Sequence, residues 1–314
     1  MPEEFMKPSI ETIAVIGAGA LGAAYGAMLY DMDPGCVSFV ARGERAERLR
    51  REGVIVNGKP YHLPVLSPED RSAPADLVIV AVKNQHLHAA IGEMQNRVGA
   101  ETTIISLMNG IDSEERIGAV YGMDRLLYCV SVGIDALREE NRVVYTTQGK
   151  LFIGEAANPS LTERVRRLQA LFDRAGIVYE TPPDMLRILW WKFMINVGIN
   201  QASAVLRAPY AAFQVEGEAG ALMVAAMREV VLLAGKAGVD LREEDISGFD
   251  PFLARLNPRG KTSMLQDVDA GRKTEVEMLA GRVIELGRRY GIPTPMNQRL
   301  FDLIREIESH KGGN

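Results

Sequence analysis

The segment Thr12-Ile-Ala-Val-Ile-Gly17-Ala-Gly19-Ala-Leu-Gly22 constrains this chain more than any other. A short apolar run breaks into Gly-x-Gly-x-x-Gly and continues as Ala-Ala-Tyr-Gly-Ala-Met-Leu, which reads as strand, tight turn and helix. In such a unit Gly17 permits the turn, Gly19 lets the backbone approach a pyrophosphate and Gly22 lets the helix pack closely on the strand. Ala20 and Leu21 open the helix, whose unpaired N-terminal amides meet the phosphates. Three glycines alone are a weak signal. The legible strand before them and helix after them turn the match into an expectation of a dinucleotide site.

With 314 residues, 47% of them hydrophobic, the chain has material for two cores. A net charge of -5 without a concentrated basic patch argues against a nucleic-acid surface. Cys36 and Cys129 lack metal-ligand spacing, so they read as buried free thiols in a reducing compartment, and no metal site is expected. The polar stretch Met1 to Glu11 has no apolar signal-peptide core, and no run of about 18 apolar residues occurs. A cytoplasmic protein that does not cross a membrane follows as the expectation.

The first half alternates strands and helices, the pattern of a parallel sheet covered on both faces. Strands are expected at Thr12–Ile16, Cys36–Ala41, Asp76–Val82, Thr102–Leu107 and Leu126–Ile134. Asn57-Gly58 between extended runs predicts a hairpin at the sheet's edge. Arg142–Thr147 and Lys150–Gly154 read as a second hairpin that closes the sheet, followed by a helix over Asn158–Ala175 and an edge strand over Ile177–Glu180. At Thr181-Pro182-Pro183-Asp184 the texture becomes helical, since two prolines cannot continue regular structure. The predicted architecture is α/β: a doubly wound Rossmann domain over residues 1–181, then an all-α domain over residues 182–314. Helices are expected at Met185–Ala204, Tyr210–Gly235, Phe249–Leu256, Thr262–Ala270, Thr274–Tyr290 and Pro295–His310, with a disordered tail from Lys311 to Asn314.

In Rossmann units that prefer NAD, a carboxylate near the end of the second strand binds the ribose 2′-hydroxyl. Here that strand ends Val40-Ala41-Arg42-Gly43. Arg42 can pair bidentately with a 2′-phosphate, and Lys83 stands at the carboxyl end of the third of the five expected strands, where ligands of such sheets lie. Both favour NADP. The competing reading of Arg42 is a surface cation among Arg45, Arg48 and Arg50.

Lys192, Asn196 and Asn200 recur every fourth residue of the helix that begins at Met185 and so share a face, within otherwise apolar sequence where buried polar groups must find partners. Met185, Leu189, Phe193 and Val197 supply a separate packing stripe, and Trp190 and Trp191 read as core. A second cluster spans Lys261–Asp267 and Gly271–Glu277. On one straight helix Ser263 and Glu275 would lie roughly 18 Å apart at about 1.5 Å per residue. Gly271 as a C-terminus and a Thr274–Glu277 capping box predict a break there, which serves one site only if the chain folds back. Ser263 with Gln266 also reads as a capping box, and Asn109-Gly110 as a turn at a strand's carboxyl end, facing the ligand crevice.

Taken together, these residues resemble the ketopantoate reductases (2-dehydropantoate 2-reductases), NADPH enzymes of the pantothenate and coenzyme A pathway. The resemblance runs nearly end to end and rests on Gly17 to Gly22, Val82-Lys83, Met108-Asn109-Gly110, Trp191-Lys192 with Asn196 and Asn200, and Ser263-Met-Leu-Gln-Asp267 followed by Thr274-Glu275. It implies hydride transfer to the C2 ketone of a branched 2-oxo acid at a site between the two domains. Lys192 would be the general acid and Glu275 its acidic partner; Asn196, Asn200 and Ser263 would bind substrate, and Asn109 would bridge cofactor and substrate. Arg42 and Lys83 would take the 2′-phosphate of NADPH/NADP. A small 2-oxo acid is then the expected partner, with no nucleic acid or membrane, and a homodimer is left open. Two positions depart from the family pattern: Gln201 stands where proline is common, and His86 where glutamine is common. A reductase of another 2-oxo or 3-oxo acid, or a non-catalytic dinucleotide sensor, are the alternative readings.

Overall fold

The computed structural model describes residues 9–311, so the expectation for the tail beyond Lys311 lies outside the described residues. The chain divides into two compact units between Ile188 and Leu189. In the first, β1 (Ile13–Ile16) follows the expected apolar run, and α1 (Ala20–Met32) follows the glycine turn. The remaining strands are β2 (Val37–Val40), β3 (Val54–Val56), β4 (Lys59–Tyr61), β5 (Val65–Leu66), β6 (Leu77–Val80), β7 (Thr103–Ser106), β8 (Leu126–Val132), β9 (Leu137–Glu139), β10 (Arg142–Val144), β11 (Lys150–Gly154) and β12 (Tyr179–Glu180). The helices between them are α2 (Gly43–Glu52), α3 (Leu87–Glu93), α4 (Ser113–Tyr121) and α5 (Glu163–Ala175).

Eight strands form one sheet in the order β12-β11-β8-β7-β6-β1-β2-β5. β1 pairs in parallel with both β2 and β6, so the chain reverses its direction of travel across the sheet at β1. That reversal is the switch point at which doubly wound sheets open a crevice beyond their strand ends. Alternate residues of a strand face opposite sides. Ile13 and Val15 pack with Ala23, Ala27 and Phe172 from α1 and α5, whereas Ala14 and Ile16 pack with Leu87, Ala90 and Ile117 from α3 and α4. The sheet is thus covered on both faces, as its continuous apolar strands require.

Asn57 and Gly58 adopt φ of 48° and 82° and join β3 to β4 as the predicted hairpin. This hairpin belongs to a separate four-stranded sheet, β4-β3-β10-β9, not to the edge of the main one. The expected hairpin between Arg142–Thr147 and Lys150–Gly154 is corrected. β10 pairs antiparallel with β9 and in parallel with β3, while β11 pairs antiparallel with β8 in the main sheet. Asp135 explains the divergence: its carboxylate accepts from the amides of Thr146 and Thr147, both at 2.8 Å, and holds the segment after β10 away from a hairpin ladder. Cys36 and Cys129 are buried free thiols.

The second unit is helical. It comprises α6 (Met185–Ile195, whose first turn belongs to the first unit), α7 (Gln201–Leu206), α8 (Glu218–Lys236), α9 (Glu244–Ser247), α10 (Asp250–Leu253), α11 (Ser263–Asp269), α12 (Arg282–Tyr290) and α13 (Pro295–Lys311). The expected stripe of Met185, Leu189, Phe193 and Val197 is buried. The expected helix from Tyr210 to Gly235 starts only at Glu218. Before it, Tyr210–Phe213 makes a single tight turn whose amides are taken elsewhere, Tyr210 N–H by Gly260 O at 3.0 Å and Ala211 N–H by Pro258 O at 2.9 Å. Among the described residues, no helix is long and apolar enough to cross a membrane.

Candidate active site

In the first unit the three glycines of the opening motif differ in what their surroundings allow. Gly17 has φ of 102°, and a Cβ there would lie 2.6 Å from Ala81 O. A Cβ on Gly22 would lie 1.9 Å from Gly17 O, so α1 can begin against the turn only without a side chain. On Gly19, by contrast, a Cβ would meet Ala81 O at an ordinary 3.5 Å. The protein itself leaves room at Gly19, which is what a backbone approached by a ligand looks like. Gly19 caps α1 without a side chain, and Ala20 and Leu21 follow it; the first turn contains no acid. An N-terminus of this kind carries partial positive charge and unpaired amides suited to a pyrophosphate. These residues fit a dinucleotide.

Arg42 caps α2 directly after β2, with no carboxylate between them. Its Nε lies 3.2 Å from a carboxylate oxygen of Glu93, on α3, and Arg45 Nη2 hydrogen bonds the other oxygen at 2.6 Å. All three residues line a pocket of about 260 Å³ together with Val82 and His86. Glu93 and Arg45 are not among the site residues expected from the sequence. The signal was the spacing of Arg42 and Arg45, since positions three apart at a helix start share a face. Lys83, exposed, stands just beyond β6 and caps the short turn Asn84–His86; it is not among the pocket's lining residues.

Asn109 is half-buried beyond β7, and Gly110 after it has φ of 96°. Beneath this turn Met108 N–H donates to Ser106 Oγ at 3.3 Å, Ser106 Oγ and Ser113 Oγ share a hydrogen bond of 2.9 Å, and Ser113 Oγ donates to Glu114 at 2.8 Å. Burial pushes the Glu114 carboxyl up to about 7, against the lowering effect of the Ser113 bond.

In the second unit, Lys192 lies on α6 and is half-buried, and the segment Asn196–Asn200 that follows is a π turn leading directly into α7. The turn matters for alignment. An α-helix rotates about 100° per residue, which would leave Lys192 and Asn200 about 80° out of line. Bonding to the fifth residue reduces the step to about 80°, and four such steps return Asn200 to roughly the azimuth of Lys192. The π turn, not the spacing of an ideal helix, therefore stacks the lysine and the two amides.

Two contacts hold this turn. A Cβ on Gly198 would lie 3.0 Å from Met223 O and closer to Met227, so glycine lets α8 approach. Gln201 is fully buried; its Nε2 donates to Val197 O at 2.7 Å and to Asn297 Oδ1 at 3.0 Å. Asn297 in turn donates to Glu229 at 2.7 Å, and Glu229 accepts the amides of Met296 and Asn297 at the start of α13. Gln201, a departure from the resemblance, thus ties the π turn to a buried carboxylate.

α11 packs against the π turn and α7, which places Ser263, exposed at its first position, on an element touching Asn196–Asn200. The expected Ser263–Gln266 box is corrected: the cap is Thr262, whose Oγ1 accepts Leu265 N–H at 3.2 Å, while Gln266 Nε2 donates to Lys261 O. After α11 the chain breaks as expected. Gly271 has φ of 65°, with Gly271 N–H bonded to Val268 O and Arg272 N–H to Asp267 O, the Schellman pattern. The Thr274–Glu277 box is also corrected. Thr274 N–H and Oγ1 both donate to Glu308 of α13, at 2.8 and 2.7 Å, because Glu277 is engaged by Lys273 and Arg305. Half-buried Glu275 follows, and a second π turn, Glu277–Gly281, packs against the first. The fold-back on which the second cluster depended is therefore present within this unit: α11 and the segment after Glu275 both reach the turn that carries Asn196 and Asn200. No cluster that could hold a metal occurs among the described residues.

Comparison with known proteins agrees along nearly the whole chain. Residues 13–158 match the ketopantoate reductase PanE/ApbA family, and residues 184–308 match the ketopantoate reductase PanE/ApbA C-terminal family. The 2-dehydropantoate 2-reductase of Archaeoglobus fulgidus is 30% identical over 308 residues, 96% of this chain and 99% of that protein. The 2-dehydropantoate 2-reductase of Pyrococcus horikoshii is 27% identical with the same coverage. Among solved structures, a PanE/ApbA family ketopantoate reductase from Ralstonia eutropha matches with a TM-score of 0.80 at 26% identity, covering 96% of this chain and 99% of that one. A D-mandelate dehydrogenase solved with NADH and anilino(oxo)acetate shares the fold, with a TM-score of 0.86 at 21% identity over 96% of this chain and 99% of that one. The sheet with its glycine turn, the paired π turns and these full-length matches lead to one conclusion: the chain belongs to the ketopantoate reductase family.

Proposed function

We propose that this protein reduces 2-dehydropantoate to pantoate with NADPH. The observation that carries the reading is the full-length match to curated 2-dehydropantoate 2-reductases in a chain that keeps the Lys192, Asn196 and Asn200 stack on a π turn. In this reading the cofactor sits on residues 1–181 and the catalytic groups come from residues 182–314. Gly17, Gly19, Ala20, Leu21 and Gly22 hold the pyrophosphate through backbone amides, Arg42 and Lys83 take the 2′-phosphate, and Asn109 bridges cofactor and substrate.

When bound, the nicotinamide supplies the hydride for the C2 carbonyl carbon of the oxo acid. The Lys192 ammonium stabilises the charge that builds on the ketone oxygen and gives that oxygen its proton, so that the product is the neutral alcohol and the lysine is left deprotonated, to be recharged from solvent. The Glu275 carboxylate accepts from the substrate's own hydroxyl and orients the lysine. The Asn196 and Asn200 amides and the Ser263 hydroxyl fix the oxo acid, Ser263 by donating to its carboxylate. Lys192, Asn196, Asn200 and Ser263 lie on helical elements and Glu275 shortly before one, so these dipoles and charges are held in place and the need for solvent to reorganise during the reaction is reduced.

The direct experiment follows NADPH absorbance on mixing purified protein with ketopantoate, alongside 2-oxo acids of other side chains. Faster turnover of ketopantoate than of the other acids is expected. Turnover confined to another oxo acid would move the chain to a different substrate within the same chemistry, and absence of any turnover would refute an enzymatic role.

A further inference from the structure

Glu93 is an acid without a role in the chemistry above, yet it is buried, with its side chain 8% exposed, in the pocket that also holds Arg42 and Arg45. One arginine would suffice to compensate a buried carboxylate, and here there are two. Arg45 Nη2 takes one carboxylate oxygen at 2.6 Å and Arg42 Nε the other at 3.2 Å. The trio keeps one net positive charge. The approach of Arg42 to Glu93 is through Nε, and a guanidinium has a second edge, formed by its two Nη atoms, that is suited to bidentate contact with phosphate. Arg45 lies three residues along α2 and so projects from the same face of the helix.

Resting on the assignment of NADPH as cofactor, the geometry points to Arg45 as a second cation for the 2′-phosphate, and to Glu93 as the positioning residue that holds Arg42 and Arg45 as a pair for it. Glu93 acts on a bound anion in two opposite ways. Its negative charge repels a phosphate, but the two guanidiniums on its oxygens neutralise that charge and leave the trio with a net positive charge toward the ligand. Its two ion pairs restrain two long side chains before the ligand arrives, and each such side chain left loose weakens binding by severalfold when it must be ordered. The restraint outweighs the repulsion, so removing the acid weakens binding of an anion.

Calorimetry on the full chain with adenosine 2′-monophosphate, with adenosine 5′-monophosphate as control, tests this without turnover. Arg45→Ala is expected to weaken the 2′-phosphate ligand about tenfold and the 5′ ligand less than about twofold. Glu93→Gln, which keeps the shape but lacks the charge, is expected to weaken the 2′ ligand about threefold, and NADPH binding in parallel. Tighter or unchanged binding of the 2′ ligand by Glu93→Gln overturns the positioning role, and an Arg45→Ala protein that binds both ligands as before overturns the second cation. If the unmutated protein itself fails to prefer the 2′ over the 5′ ligand, the NADPH assignment falls instead. Thermal melting of each variant separates a local effect from loss of the fold.

Discussion

Replacing Gln201 by leucine probes the device that holds the first π turn. Leucine occupies about the same space but donates nothing, so Val197 O and Asn297 Oδ1 lose the amide that reaches them at 2.7 and 3.0 Å. Each buried acceptor stranded in this way costs about 1–3 kcal/mol. Against that, Gln201 Oε1 is itself buried with no partner among the described residues, and removing it returns one contribution of the same kind. The net loss is about 1–3 kcal/mol, or roughly 3–10 °C in Tm for a unit of this size. Because Asn196 and Asn200 lie in the loosened turn, kcat/KM for the oxo acid should fall about tenfold, ~1.4 kcal/mol of transition-state stabilisation, while the NADPH Kd stays within about twofold. Differential scanning calorimetry and steady-state kinetics read the two effects. A Gln201→Leu protein with unchanged or higher Tm and full activity would refute the claim that this side chain supports the turn.

Two further outcomes are expected. Gly22→Ala places a Cβ 1.9 Å from Gly17 O and must displace the phosphate turn, so NADPH and NADH should both bind at least about thirtyfold more weakly, ~2 kcal/mol, by fluorescence titration; selective loss of one cofactor would contradict the steric argument. Glu114 has its carboxyl raised from 4.5 to about 7, so the folded state holds a proton that the unfolded chain releases, and the resulting contribution is lost as pH rises from about 4.5 through 7. Glu114→Gln should therefore raise Tm at pH near 8, by up to ~3 kcal/mol of stability, and have little effect near pH 5; a gain that is equal at both values would show that charge is not the cause.

What could be read from the sequence and what could not divides along physical lines. The Asn57-Gly58 turn and the Gly17 to Gly22 motif were legible because each needs backbone conformations or close approaches that only local residue choice can satisfy. The partnerships of β10 were not, because one of its ladders is made with β3, far away in sequence, and the local one with β9 turns at Glu140-Asn141, which lacks the Asn-Gly signal; β5 is too short to carry a period. Capping followed the same rule. The Schellman end at Gly271 is local and was expected, whereas the acid that receives Thr274 is Glu308, which no spacing rule near Thr274 can indicate. The first π turn was invisible for a related reason: the carbonyl at Val197 accepts from the Gln201 side chain, which is itself anchored on Asn297, far away in sequence. For the candidate site, the polar residues could be named in advance, but their alignment depends on a helical irregularity, and the pairing of Arg42 with Glu93 depends on the packing of α3.

In the proposed mechanism Lys192 protonates the ketone oxygen. The most direct measurement is kcat/KM of Lys192→Ala for ketopantoate, with NADPH affinity determined in parallel. A general acid and electrostatic stabiliser of this kind contributes about 10²–10⁴-fold, so kcat/KM should fall by at least about two orders of magnitude while the NADPH Kd changes less than about threefold. A folded variant that binds NADPH and turns over ketopantoate at near the original rate would overturn the assignment of Lys192 as the general acid and leave the Lys192, Asn196 and Asn200 stack as a structural feature of the helix.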